Sequence, residues 1–271
     1  MSLAVVIKGT EGLVLAADSR VTLQAQKSGG PVLSVNFDNA AKLLSFSKPH
    51  DFIGVVTYGA AVIGRRTPHS YIPEFELSLK SKTRISVLTF AKKLSDFFME
   101  RWADVMPTNY KGPNIVFIIG GYDIGSPYGS VYLFEVPGNP KPSPRNPNDF
   151  GMTWGGQLEI VSRIIHGFDP NLGKIMMDTL KLSQQEVDKV VKTLRMNLEF
   201  PIPYDILPLQ DCVDLATFMI RSTIIAQGLA IGVRGVGGPI DVAIIRRVEK
   251  LKFIQEKIVH GESGQLAGGE K

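Results

Sequence analysis

The chain has 271 residues, of which 44% are hydrophobic and 21% charged, so a disordered chain is excluded and one large domain or two small ones remain open. A single cysteine, Cys212, excludes an intramolecular disulfide framework and a zinc ribbon. The net charge of +4 comes from 30 basic and 26 acidic residues without a dense basic stripe, so no nucleic-acid partner is expected. No apolar run approaches the ~18 residues of a membrane span and no secretory signal opens the chain. We therefore expect no membrane partner and a cytoplasmic location.

The first sixty residues predict short strands joined by turns. Residues 3–8 and 13–17 are apolar runs separated by Gly9-Thr10-Glu11-Gly12, and glycine tolerates the positive φ of a tight hairpin. Residues 26–35 contain Gly29-Gly30-Pro31 and indicate a loop or a weak edge strand. Residues 42–46 and 52–57 form a second pair of short apolar runs.

The rest of the chain predicts blocks of helices between blocks of strands. Residues 64–81 read as a long connection, and the five prolines of residues 137–147 predict an exposed loop. A capping box, Ser183-Gln184-Gln185-Glu186, opens one of the predicted helices. The predicted helices are residues 87–106, 157–166, 171–182, the segment after Ser183, and 212–228; the predicted strands are 114–119, 130–136, 229–233 and 240–246.

Segregated blocks of this kind favour an α+β fold, with helices on the outer faces of antiparallel sheets. The strands after residue 229 are too few for a second core, so we predict one domain over residues 1–250. A C-terminal extension over residues 251–271 follows, and its Gly-rich tail after His260 is expected to be partly flexible.

The sharpest local feature is the segment Gly12-Leu13-Val14-Leu15-Ala16-Ala17-Asp18-Ser19-Arg20. Residues two apart on a strand share a face, so Asp18 and Arg20 are predicted to point the same way at the end of a strand. An acid and a base so placed can form a charge-assisted pair. Spacing alone leaves open whether that pair is structural or functional.

This segment resembles the opening of the proteasome β subunit, a branch of the N-terminal-nucleophile hydrolases. Ser2 lies sixteen residues before Asp18, which matches the family's distance from nucleophile to aspartate. Lys42, in Ala40-Ala41-Lys42-Leu43-Leu44, fits the family's lysine, and Gly59 fits the turn before its first helix. Gly237-Gly238-Pro239-Ile240-Asp241 resembles the turn before its last core strand, so the resemblance spans roughly residues 2–245.

The resemblance implies a four-layer αββα sandwich of two antiparallel sheets and a peptidase that cleaves amide bonds. It implies an acyl-enzyme on Ser2 after removal of Met1. A serine hydroxyl needs an adjacent base, and a free α-amine with an ordinary pKa of about 7.7–8.0 can serve. Lys42 would help to stabilise the ionised hydroxyl and favour the neutral amine.

The remaining implied roles are supporting ones. Asp18 would hold Lys42 and keep it charged, Arg20 would orient the site, and the Gly59 N–H would stabilise the oxyanion. No metal or organic cofactor is implied, and the four histidines are not at metal-ligand spacing with one another or with Cys212. The expected partners are further copies of this chain, in a ring or a helical stack, and a peptide or protein substrate.

Three positions depart from the family pattern. Trp154 stands where the family has a serine beside the nucleophile, in a segment expected to open a helix, and Val233 and Val236 replace an aspartate and a serine. Two alternatives therefore remain open. One is a non-catalytic scaffold akin to proteasome α-type subunits, and the other is an amidase or transpeptidase with a specific small substrate.

Overall fold

The computed structural model describes residues 2–26 and 32–259. This part of the chain is α+β, with antiparallel sheets. Its strands are β1 (Leu3–Lys8), β2 (Leu13–Asp18), β3 (Val21–Gln26), β4 (Val32–Phe37), β5 (Leu43–Ser45), β6 (Ile53–Gly59), β7 (Ile115–Gly121), β8 (Ser130–Val136), β9 (Asn139–Arg145), β10 (Gly151–Gly156), β11 (Ile240–Ile245) and β12 (Lys252–Gln255). Its α-helices are α1 (Ile72–Ser78), α2 (Val87–Val105), α3 (Glu159–His166), α4 (Leu172–Leu180), α5 (Gln184–Leu198) and α6 (Leu209–Leu229).

The strands form two five-stranded sheets and one separate hairpin. The first sheet has the order β10-β1-β2-β11-β12, the second has the order β5-β6-β7-β8-β9, and β3 pairs with β4. In the first sheet Ala4 lies opposite Ala17, and Asp18 lies opposite Ile240. The start of β1, the end of β2 and the start of β11 therefore lie side by side at one end of these three strands.

The two sheets face each other, and helices cover their outer sides. Apolar residues of β1, β2 and β11 meet those of β6, β7 and β8 in a shared core that includes Val6, Leu15 and Ile118. Helix α2 packs on the outer side of the β5–β9 sheet, and α6 packs on the outer side of the other. This arrangement is consistent with a sandwich. It explains why β1, β2 and β11 are buried along their whole length and read as continuous apolar runs.

Local signals fix the ends of the helices. The Ser86 side chain accepts a hydrogen bond from the Thr89 N–H at the start of α2. The predicted capping box is confirmed at α5, since Ser183 and Glu186 each bond the other's main-chain N–H. Both contacts satisfy amide groups that have no partner within the helix.

Helix α6 departs from the expectation that no segment could span a membrane. It is 21 residues long and contains an 18-residue window with a mean hydropathy of 1.2, enough for a membrane span by length and composition. Ala216, Met219 and Ile220 pack against the sheet, and the core helix of a globular domain passes the same test.

The exposed loop predicted from the prolines of residues 137–147 is wrong, because most of that segment is strand β9. Pro144 lies opposite Tyr132 of β8, at the outer edge of the sheet. Proline cannot donate to a ladder, but on an edge strand alternate residues have no partner to donate to. Pro140, Pro142 and Pro144 occupy such alternate positions.

Three further expectations are corrected. Residues 229–233 form no strand, since α6 runs to Leu229 and the next strand begins at Ile240. The segment around Trp154 is strand β10, which pairs with β1, and helix α3 begins only at Glu159. The connection over residues 64–81 contains α1 and a short 3-10 helix, Pro68–Tyr71.

Strands are present in the segment predicted as a loop or a weak edge strand and in the predicted C-terminal extension. Gln26 ends β3 and residues 32–35 belong to β4, whereas Gly29-Gly30-Pro31 lies outside the described residues. Strand β12, within the predicted extension, pairs with β11. The tail after His260 also lies outside the described residues.

Candidate active site

The hairpin of β1 and β2 brings Ser2 to Asp18. Ser2 precedes β1 and Asp18 ends β2, and the Leu3 N–H donates to Asp18 Oδ1 at 3.0 Å. On its other side, Ser2 meets the end of β10, where its carbonyl accepts from the Gln157 N–H at 2.8 Å. Gly156 has a φ of +106°, and a Cβ there would lie 1.9 Å from the Ser2 carbonyl oxygen. Only glycine allows this approach.

Lys42 joins Ser2 to Asp18 from the other sheet. Its Nζ lies 2.8 Å from Ser2 Oγ and 2.8 Å from Asp18 Oδ1, and it also donates to the Arg20 carbonyl. Ser2, Asp18 and Lys42 are each at most 5% exposed. Burial lowers the pKa of Lys42, and the Asp18 carboxylate opposes that shift. Three acceptors match the three donors of an ammonium group, so the contacts fit a protonated lysine.

Asp18 accepts from four donors and has no solvent exposure. Besides the Leu3 N–H and Lys42 Nζ on Oδ1, its Oδ2 accepts from the main-chain N–H groups of Arg20 at 3.1 Å and Gly237 at 3.0 Å. A carboxylate that receives four donors must be in its acceptor-only, ionised form. Its ion pair with Lys42 is therefore held on both sides by the main chain.

The side-chain pair predicted between Asp18 and Arg20 is wrong. The Arg20 guanidinium binds both oxygens of Asp38, at 2.6 Å each, and this bond lowers the pKa of the Asp38 carboxyl. Strand β2 ends at Asp18, so strand alternation no longer sets the direction of the Arg20 side chain. Arg20 touches the site through its main chain, by its N–H to Asp18 and its carbonyl to Lys42.

Gly59 ends β6 with its N–H on the side of the strand that faces away from β7. Gly59 lies opposite Ile115, and the Ala60 N–H donates to the Asn114 carbonyl, so the Gly59 N–H points away from β7. It shares that edge with the Thr57 N–H, which donates to the Lys42 carbonyl at 2.9 Å. Gly59 has a φ of +95°, and a Cβ there would meet the Asn114 carbonyl oxygen.

Ser2, Lys42 and Gly59 line one small cavity. Its volume is about 20 Å³, enough for one water molecule. The structure thus brings together Ser2, Asp18, Lys42 and Gly59, with Arg20 present by its main chain. A hydroxyl, an adjacent ammonium and an outward-facing N–H can serve as nucleophile, charge stabiliser and oxyanion donor in acyl transfer to serine, a reaction that also needs a general base.

The three departures from the family pattern do not add polar groups to this site. Trp154 lies opposite Val5, two positions from Leu3, and its ring tilts against His166 at 5.4 Å. Val236 is buried, and Val233 is exposed. The main chain next to Val236 does contribute, since the Gly237 N–H binds Asp18.

Sequence reasoning missed a second buried ion pair beside this site. Asp241 on β11 is 2% exposed and binds both the main-chain N–H and Nζ of Lys257. The positive charge of Lys257 also contributes to lowering the pKa of Lys42. A lone acid in the apolar run of β11 was a signal for a buried partner, but nothing in the sequence identifies that partner as Lys257.

Comparison with solved structures identifies the fold. No protein-family model matches the chain, and no curated protein sequence matches it. The helical assembly of the Anbu complex from Pseudomonas aeruginosa is similar over 96% of this chain and 88% of its own, with a TM-score of 0.57 and 18% identity. An Anbu mutant from Hyphomicrobium sp. strain MC1 matches over 95% and 86%, with a TM-score of 0.55 and 17% identity. Anbu (ancestral beta-subunit) from Yersinia bercovieri matches over 94% and 87%, with a TM-score of 0.53 and 18% identity.

The chain has an Anbu-like fold. Anbu proteins are proteasome-like but form a distinct family, so the assignment to the proteasome β subunits and N-terminal-nucleophile hydrolases is corrected by these neighbours. A proteasome-like fold accompanies three of the sequence features used above: the segment Ala16-Ala17-Asp18-Ser19-Arg20, the turn at Gly59 and the turn at Gly237-Gly238. They do not distinguish one proteasome-like family from another.

Proposed function

We propose that this protein is a proteasome-like subunit that hydrolyses amide bonds with Ser2 as its nucleophile. One observation carries the proposal: buried Lys42 Nζ lies 2.8 Å from both Ser2 Oγ and Asp18 Oδ1. A structural role would satisfy the third donor of this buried ammonium with any acceptor, and here that acceptor is the hydroxyl of Ser2. This contact is directed at the one atom that the reaction would use.

In the proposed reaction, Met1 is removed and the freed Ser2 amine takes the proton of Ser2 Oγ. The oxygen attacks the carbonyl carbon of the substrate, and the Gly59 N–H donates to the resulting oxyanion. The protonated amine then gives its proton to the leaving amine as the C–N bond breaks. Water, deprotonated by the same amine, hydrolyses the ester on Ser2. Lys42 remains charged throughout and stabilises negative charge on Oγ.

The test is labelling by a peptide β-lactone, whose ring carbonyl acylates a nucleophilic hydroxyl. We expect the wild-type chain to gain the mass of one probe and Ser2→Ala to gain none, as measured by intact-protein mass spectrometry. Ser19→Ala is the matched control, because Ser19 is adjacent to Asp18 and fully buried, yet its Oγ has no hydrogen-bond partner among the described residues. Persistent labelling of Ser2→Ala would refute the proposal.

The second ion pair predicts a pH effect on the same labelling rate. Burial and the Lys257 charge lower the pKa of Lys42, so the rate should fall at high pH, where Lys42 loses its proton before an ordinary lysine would. Lys257→Met removes a positive neighbour and should raise the pKa of Lys42, which moves that fall to higher pH. Asp241→Asn leaves Lys257 unneutralised and should move it to lower pH. Exposed Lys252→Met is the control, and equal profiles for all four proteins would contradict the proposal.

We further propose self-association and a four-layer αββα order for this protein. The Pseudomonas aeruginosa neighbour is a helical assembly of the Anbu complex, which supports a helical stack, or else a ring, of this chain. Helix α2, the two facing sheets and α6 supply the layers of the proposed order. We propose a cytoplasmic location and a peptide or protein substrate.

A non-catalytic scaffold is the second candidate function. It is favoured by the replacement of polar groups with Val233 and Val236, together with Trp154 lying against His166 instead of Ser2. The scaffold predicts that Met1 is retained in the native protein and that no β-lactone labelling occurs. A specific amidase or transpeptidase would label at Ser2 but process only a narrow set of acyl amides.

A further inference from the structure

An open groove adjoins the cavity at Ser2. It has a volume of about 1010 Å³, at the upper end of the range typical of ligand sites. One wall comes from β3, the floor from the segment that follows β6, and the far wall from the end of α2 and the segment after it. Thr22, Gly59, Ala60 and Ala61 line both the groove and the cavity, so the two spaces lie side by side.

The end of α2 is fixed onto the floor of the groove. The Gly64 N–H donates to Met106 Sδ at 3.1 Å, and the missing side chain of Gly64 leaves room for Val105. Val105 is nevertheless 50% exposed and Leu23, on the opposite wall, is 39% exposed. The groove thus presents apolar side chains from β3 and from the end of α2 to solvent.

Charge in the groove has one sign. Among the described residues that line it, the charged ones are Arg65 and Arg66. Arg66 is already committed, since it binds Glu74 at 2.6 Å and lies over the Tyr71 ring. Arg65 is exposed, and within residues 2–26 and 32–259 it has no hydrogen bond or ion pair. One guanidinium therefore remains available to an anion in an apolar groove.

We propose that this groove binds the substrate chain next to the scissile amide and selects an apolar side chain together with a nearby carboxylate, which pairs with Arg65. The inference rests on the proposed function, because the groove is assigned to the substrate by its position beside the Ser2 cavity. It names the substrate class: peptides that combine apolar and acidic residues.

Binding is measured in the Ser2→Ala protein, where no reaction can occur. Two fluorescein-labelled tetrapeptide amides, Leu-Val-Glu-Leu and Leu-Val-Lys-Leu, are compared by fluorescence anisotropy at low and high salt. We expect the acidic peptide to bind about three- to five-fold more tightly in 0.05 M salt, the range of an exposed ion pair, and the difference to shrink in 0.5 M salt. Equal affinities at low salt would overturn the inference.

Variants in the Ser2→Ala background locate the selectivity. Arg65→Met should abolish the preference for the acidic peptide, and Arg65→Glu should reverse it, while Arg221→Met, an exposed arginine on α6, should leave it unchanged. Val105→Ser should weaken both peptides about equally, by roughly threefold, because it removes apolar contact and no charge. A preference that survives Arg65→Glu would overturn the inference. The inference would also be overturned if neither peptide bound and Arg65→Glu lost self-association in sedimentation experiments. The groove would then hold a second copy of this chain.

The two proposals fail separately. If the wild-type chain is not labelled by the β-lactone but the peptide preference is intact, the proposed hydrolase activity is refuted and the proposed selectivity of the groove is retained. If Ser2 is labelled but no peptide preference is found, the proposed selectivity of the groove is refuted and the proposed hydrolase activity is retained.

Discussion

A chain that begins at Ser2 is expected to react with a peptide β-lactone at least about 100-fold faster than the same chain with Met1 retained, since a positioned general base contributes about 10²–10⁴. With Met1 present, the Ser2 nitrogen is a peptide amide and has no basic lone pair. Lys42 cannot replace it, because all three of its donor positions are used by Ser2, Asp18 and Arg20.

Both forms can be prepared by cleavage of an N-terminal tag and checked by intact mass. The labelling rate is then compared at neutral pH, and thermal unfolding of the two forms serves as the control for folding. Equal labelling rates would show that the α-amine is not the base. Equal unfolding with unequal rates would attribute the difference to chemistry instead of stability.

Asp18→Asn is expected to lower the free energy of unfolding by about 3–5 kcal/mol, the usual effect of breaking a buried ion pair. The substitution would leave the Lys42 ammonium without its anion. The new side-chain NH₂ would also face a main-chain donor, since each oxygen of Asp18 accepts from two donors. Labelling of Ser2 should be lost as well, because Lys42 is no longer held charged beside Ser2 Oγ.

Lys42→Met is expected to destabilise less than Asp18→Asn, although it breaks the same ion pair. The Asp18 carboxylate would keep the N–H groups of Leu3, Arg20 and Gly237, so it stays hydrogen-bonded after the ammonium is gone. Labelling should be lost in this variant too.

Asp38→Asn provides the matched control for both, because the Asp38 side chain is 41% exposed and its pair with Arg20 is worth about 0–1 kcal/mol. Chemical denaturation of the wild-type chain and the three variants gives the comparison. If Asp18→Asn unfolded at the same denaturant concentration as Asp38→Asn, the buried position of Asp18 would be wrong.

Elements with a strong local pattern could be predicted from the sequence. The apolar runs of β1 and β2, the helical periodicity of α2 and the capping box of α5 each determine one element from neighbouring residues alone. Strand β9 could not be predicted in this way, because its prolines are acceptable only at a sheet edge. Whether a segment lies at an edge depends on the order of the strands, which is not a local property.

The candidate site likewise has some contacts that could be predicted from local sequence and others that could not. Its Ser2 and Asp18 components follow from one hairpin, whereas the Asp18–Arg20 pairing failed because strand alternation stops where β2 stops. The ion pair of Asp241 with Lys257 joins residues sixteen apart and depends on the pairing of β12 with β11.

The sequence by itself determined that Ser2 lies against Asp18. Two apolar runs separated by a Gly-flanked turn fold back on each other, and a register that sets Ala4 opposite Ala17 brings the start of the chain to the end of β2. Only the tertiary structure decided which cation Asp18 binds. Lys42 immediately precedes β5 of the other sheet, and it reaches Asp18 because the two sheets pack face to face, which depends on apolar contacts between distant residues.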